Sequence, residues 1–154
     1  IHELAPGTVN LATISYPELP ENPDTTEEAS DFNADLLNEY GLYLDEVGDY
    51  DAAEKSYSKC LELTEQKIGK NTPNYAVTLD NLANLYINTG HAEKAEPIFL
   101  EAAKIRKNVL GENHPQYATS LNNVANLFVT VGRIDQAKLL YLESIEIIKK
   151  IKII

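Results

Sequence analysis

Residues 73–107, PNYAVTLDNLANLYINTGHAEKAEPIFLEAAKIRK, recur 42 positions later as residues 115–149, PQYATSLNNVANLFVTVGRIDQAKLLYLESIEIIK. Of the 35 aligned pairs 14 are identical, where unrelated segments of average composition would share about two. Tyr86/Phe128, Phe99/Tyr141 and Ile87/Val129 are conservative exchanges. A duplicated unit of this length is one supersecondary element that buries its apolar face only against its neighbours. A weaker copy precedes these two over residues 31–69. There Leu37, Gly48, Ala53 and Tyr57 stand where Leu79, Gly90, Ala95 and Phe99 recur, and the connector IGKNTP matches LGENHP.

Each copy reads as two helices. In YAVTLDNLANLY the apolar residues Leu79, Leu82, Ala83, Leu85 and Tyr86 follow a 3.6-residue spacing; Gly90 interrupts it and AEKAEPIFLEAAKIRKNVL resumes it. Pro73 and Pro115 suit the first helical turn, where a missing N–H costs nothing, and Gly69 and Gly111 suit a left-handed residue just past the second helix. Pro97 lies inside its helix and is expected to bend the rod without breaking it.

Charge is unevenly spread. The 154 residues carry a formal charge of −11, but residues 1–54 hold 14 acids and no Lys or Arg. Such a chain is repelled by phosphate backbones and anionic lipid, so neither nucleic acid nor a membrane surface is the expected partner. Residues 1–25 contain Pro6, Pro17, Pro20 and Pro23 and read as an extended acidic lead-in, with the repeat domain over 26–154 and repeats near 31–69, 73–111 and 115–152. Cys60 is the sole cysteine, which excludes an internal disulfide and fits a cytoplasmic setting. The chain begins at Ile1 and contains no Met, as expected of a piece of a longer protein.

Small residues recur where helices cross: Gly41, Ala83 and Ala125 on first helices, Ala53, Ala95 and Ala137 on second helices. Large ones recur at Leu37, Leu79 and Leu121, at Leu44, Tyr86 and Phe128, and at Tyr57, Phe99 and Tyr141. This set resembles the tetratricopeptide repeat, and the 42-residue spacing with LDNLANLY, LNNVANLF and YATSLNN is similar to its kinesin light chain type. The resemblance implies an all-α fold, a right-handed superhelical solenoid of three helical hairpins whose first helices line a concave groove. Transferred position by position, it places Asn38, Asp80, Asn84, Asn88, Asn122 and Asn126 on that groove, with Asp35, Asp45 and Glu46 at the repeat 1 end.

An Asn side chain offers donors and an acceptor together, so Asn84 and Asn126 can bond both N–H and C=O groups of an extended peptide without reading its side chains. Asn81 and Asn123, one position away, are expected to bond between adjacent helices. Repeat 1 departs from the pattern, with Glu39 and Leu42 at these two places. None of the groove positions is basic, which argues against acidic peptide tails, since a carboxylate needs a cationic or multi-donor partner.

Catalytic chemistry has little to stand on. Cys60 shares a small-residue slot with Ala102 and Ser144 and is expected to be a buried, inert thiol. His2, His91 and His114 lack metal-ligand spacing, and no phosphate-binding or metalloprotease string occurs, so neither metal nor cofactor is expected. The resulting expectation is a non-catalytic scaffold holding a partner segment; the alternative is the regulatory array of a larger signalling enzyme, for example a caspase-like protease. Ile147, Ile148, Ile151, Ile153 and Ile154 form an apolar stripe. It is expected to be covered either by further repeats or by self-association through this helix.

Overall fold

The computed structural model describes residues 34–152. The expected lead-in over residues 1–25, together with Ile153 and Ile154, lies outside the described residues. Six α-helices follow one another: α1 (Ala34–Val47), α2 (Tyr50–Ile68), α3 (Pro73–Asn88), α4 (Ala92–Leu110), α5 (Pro115–Thr130) and α6 (Ile134–Lys152). They pair as the hairpins α1–α2, α3–α4 and α5–α6, and α2 packs on α3 as α4 packs on α5. The described fold is thus an all-α solenoid of three hairpins.

Glycine sets the length of each helix. Every described residue with positive φ is a glycine, at 48, 69, 90, 111 and 132, which divides the repeat into two equal 21-residue halves. At Gly48, Gly90 and Gly132 the same turn forms three times, the glycine N–H donating to the carbonyl three residues back, of Asp45, Ile87 and Val129. Gly69 and Gly111 close the second helices at φ 89°, ψ 170° and φ 95°, ψ 159°. That is not the left-handed helical well expected from the sequence but the mirror-β region, which glycine alone occupies readily.

Starts are local as well. Asp49 caps α2 through Ala52 N–H, and Thr72 caps α3 through Tyr75 N–H with Pro73 following. His114 does the same for α5, its Nδ1 accepting from Gln116 N–H. Helix α4 runs unbroken through Pro97, whose ring is exposed.

The small positions are where the helices meet. Ala53, Ala83, Ala95, Ala125 and Ala137 are all at most 1% exposed. One cluster joins repeats 1 and 2 through Leu44, Ala53, Tyr57, Leu82 and Leu85; another joins repeats 2 and 3 through Ala83, Phe99, Val124, Leu127 and Phe128. The described part of the isoleucine stripe of α6, expected to need further repeats or a second copy to cover it, is covered in part by its own hairpin. Ile147 is buried with Ala118 and Leu121, and Ile148 and Ile151 pack against the same cluster, because this side of α6 faces its own hairpin partner. The apolar groups that α6 leaves in solvent include Leu139, Leu142 and Ile145.

In repeat 1 the small residue is Gly41, and a Cβ built there would lie 2.5 Å from Cε1 of Tyr57. Tyr57 is completely buried, its hydroxyl has no hydrogen-bond partner, and burial, with the nearby Asp45 charge, pushes its ionisation well above the usual phenol range. Gly41→Ala should therefore cost about 1–3 kcal/mol in urea unfolding, the range for overpacking a core. Tyr57→Phe, which installs the residue found at the equivalent Phe99, should leave the unfolding midpoint unchanged or raise it, since it removes an unpaired buried hydroxyl.

Candidate peptide-binding groove

On the first helices α1, α3 and α5 the residues singled out above divide between exposed and buried positions. Asn84, Asn88, Asn122 and Asn126 are exposed, accompanied by the exposed apolar side chains of Leu42, Val77 and Val129. Asn38 is half-buried, and its Oδ1 accepts from Nδ2 of Asn81 at 2.9 Å. Asn38 and Asn81 thus tie repeat 1 to repeat 2 with the inter-helix bond expected of Asn81.

Asp80 occupies the place equivalent to Asn38 but is buried. Its Oδ2 receives Nη1 of Arg106 at 2.5 Å, and the same Nη1 donates to Oγ of Ser120 at 2.7 Å. Asn123 stands beside Asp80, where Asn81 stands beside Asn38. Burial raises the carboxyl's pKa, and Arg106 and Asn123 pull it back only in part. Asp80 Oδ1 and Arg106 Nε remain without partners. Asp80 is therefore sealed into a polar seam between repeats 2 and 3 rather than open to solvent.

Reading charges along the sequence did not identify Arg106 as a partner of Asp80. The antiparallel hairpin brings it there: second-helix residues bond the first helix of their own hairpin at separations that vary with position, 26 for Arg106 to Asp80, for Cys60 Sγ to Ala34 C=O and for Ser144 Oγ to Ala118 C=O, and 19 for Ser56 Oγ to Leu37 C=O.

The outer rim shows a substitution in kind. Tyr86 donates its hydroxyl to Glu54 of the preceding repeat at 2.7 Å. Phe128, its counterpart, has no hydroxyl. Arg133 instead lies 3.8 Å over the Phe128 ring and donates to Glu96, the counterpart of Glu54, at 2.5 Å. A guanidinium stacked on an aromatic face delivers the donor that the phenol supplied.

The amides of Asn84 and Asn126 differ. Tyr141 donates its hydroxyl to Oδ1 of Asn126 and so takes one of that oxygen's two lone pairs. Asn84 has no such neighbour, because its repeat carries Phe99 where repeat 3 carries Tyr141. Asn122, Asn126 and Tyr141 border a hollow of about 570 Å³ completed by Ser144, Ile145, Ile148, Lys149 and Lys152.

Cys60 is 2% exposed and bonded to Ala34 C=O at 3.0 Å. Burial pushes the thiol's pKa up more than the hydroxyls of Thr78 and Thr64 lower it.

The tetratricopeptide repeat family profile matches residues 32–108 and 81–150. Functionally curated proteins give no match. Among solved structures, BtubC (BKLC) from P. vanneervenii superposes with a TM-score of 0.69 at 22% identity, over 77% of this chain and 48% of that one. A Podosopora anserina putative kinesin light chain with nearly identical TPR-like repeats gives 0.65 at 17% identity, over 82% of this chain and 56% of that one. A variant of that same fungal protein gives 0.65 at 17%, over 73% and 53%. At these identities the likeness is one of fold, and the chain spans about half the length of the structures it matches.

Arg106→Leu should destabilise the chain by about 3–5 kcal/mol in denaturant unfolding, because it strands a buried carboxylate; adding Asp80→Leu should recover most of the loss. A thiol reagent should modify Cys60 no faster than the chain unfolds, and denaturant beyond the unfolding midpoint should give complete labelling.

Proposed function

The chain belongs to the tetratricopeptide repeat family, whose hairpins build scaffolds for protein interaction, and on that premise we propose that this array holds an extended partner segment along α1, α3 and α5 without catalysing a reaction. The observation that carries the reading is the pair Asn84 and Asn126, exposed one repeat apart and flanked by Val77 and Val129. Amides at this interval bond the partner's backbone, and the apolar neighbours take its side chains. Asn126, with its carbonyl engaged by Tyr141, serves as a donor to a peptide C=O; Asn84 serves as donor and acceptor. Asn88 extends the polar strip and Asn122, the exposed counterpart of Asn38 and Asp80, lies at its α6 end, while Asn38 and Asp80 act from behind it, holding adjacent repeats in register.

Charge selects the partner's sequence. The first helices offer Asp45 and Glu46 at the α1 end and no Lys or Arg on any of the three. A segment with basic residues at that end and neutral, apolar ones along α3 and α5 complements it.

Fluorescence anisotropy with a labelled ten-residue peptide of Val, Ser and two terminal Lys, against the same peptide with Glu for Lys, tests the reading. The Lys peptide should bind tighter, and Asn84→Ala with Asn126→Ala should weaken it roughly 10- to 1,500-fold, the loss of three hydrogen bonds of about 0.5–1.5 kcal/mol each. Tighter binding of the Glu peptide, or an unchanged affinity in the double variant, overturns the proposal.

A further inference from the structure

At both joints the first helix of the next repeat meets the same notch of the preceding one, and the residue positions that make up that joint recur at both ends of the described solenoid. At the first interface Asn81 of α3 bonds Asn38 and Thr78 lies 3.4 Å from Cys60; at the second, Asn123 of α5 stands beside Asp80 and Ser120 bonds Arg106. Moved back by 42 residues, Thr78 and Asn81 become Leu36 and Glu39 of α1. Moved forward, the receiving residues Thr64/Arg106, Leu61/Ala103 and Asn38/Asp80 become Ile148, Ile145 and Asn122.

Within the solenoid the receiving notch is filled. In repeat 1 the space at Asn38, Cys60 and Thr64 is closed by Asn74, Val77 and Thr78 of α3 to about 90 Å³. In repeat 2 Arg106 itself occupies it, bonded forward to Ser120. In repeat 3 the same notch is the hollow of about 570 Å³ at Asn122, Ser144, Ile145 and Ile148. Leu36, the counterpart of the 3%-exposed Thr78 and 1%-exposed Ser120, is 55% exposed, and Ile145, the counterpart of the 8%-exposed Ala103, is 48% exposed.

We infer that the occupant of this hollow is α1 of a second copy of the chain, docked head to tail in the register by which α3 meets repeat 1 and α5 meets repeat 2. The chemistry is exchanged in matched pairs. Where the guanidinium of Arg106 meets the hydroxyl of Ser120, Ile148 meets Leu36, apolar on both sides. Where Asn81 donates to Asn38, the NH₂ of Asn122 donates to the carboxylate of Glu39. Lys149 and Lys152 border the hollow, and the last turn of α6 is basic, whereas α1 holds acids and no base. The incoming helix presents a face that its own repeat leaves in solvent. The contact is heterologous, one end against the other, so it adds copies in a row rather than closing a symmetric dimer.

Sedimentation of the 154-residue chain over a range of concentration tests this, with two variants at exposed positions, Leu36→Glu to block the α1 end and Ile145→Glu to block the α6 end. The unaltered chain should grow in mass with concentration beyond a dimer. Each variant alone should stay monomeric, and an equimolar mixture should stop at a dimer, since each supplies the end the other lacks. A monomeric unaltered chain, association of either variant alone, or a monomeric mixture overturns the inference. A second measurement is independent of those two variants: copies carrying Glu39→Cys and copies carrying Asn122→Cys, mixed and mildly oxidised, should form a disulfide-linked pair, and its absence overturns the inference equally.

Discussion

Two amphipathic helices joined by a short turn have one apolar seam between them and further apolar surface on the outside. The rest of this structure depends on how that outer surface is covered. A hairpin alone cannot bury Tyr57 or Phe99; each is buried because the first helix of the next repeat lies across it, Leu82 and Leu85 over the former and Val124 and Phe128 over the latter. Such closeness requires a small side chain at the crossing, which is why Gly or Ala holds positions 41, 83 and 125. Stability in such an array is distributed over nearest-neighbour contacts, so an end of the stack differs from its middle in what it exposes.

Polar groups must be paired across the same interfaces, and the two interfaces solve the problem differently. The first uses an amide pair, Asn38 and Asn81; at the second, Arg106, ion-paired with Asp80 inside repeat 2, donates across to Ser120 of repeat 3. A charge in that seam is tolerated because its partner is held at bonding distance from the adjacent helix. On the rim, a phenol and then a stacked guanidinium reach equivalent glutamates. The backbone register is constant while the chemistry at each joint varies, which keeps the joints from being interchangeable. The outward amides, Asn84 and Asn126, are free of this duty, and that freedom is what makes them ligand groups in the proposed function.

The period, the helix pairing, the turn glycines and the buried thiol were legible in the chain, because each depends on residues near in sequence or on a repeated small-large pattern. Other features were not. Asp80 counted as a groove residue because it shares a position with Asn38 and Asn122, yet only the packing of α4 brings Arg106 to it. The isoleucine stripe looked uncovered because periodicity shows that a helix has an apolar face but not which neighbour takes it. Gly69 and Gly111 signalled a positive φ, but the direction in which the connector leaves the helix decides ψ.

The sequence by itself therefore determined the number of hairpins, their length and their close crossings, since spacing, glycine and alanine act locally. The tertiary structure alone decided which polar residues are spent inside the joints and which remain for a partner. That choice depends on each second helix folding back on the first helix of its hairpin, with bonded residues 15 to 26 positions apart, and on the next repeat lying across both, distances in space that no single stretch of chain encodes.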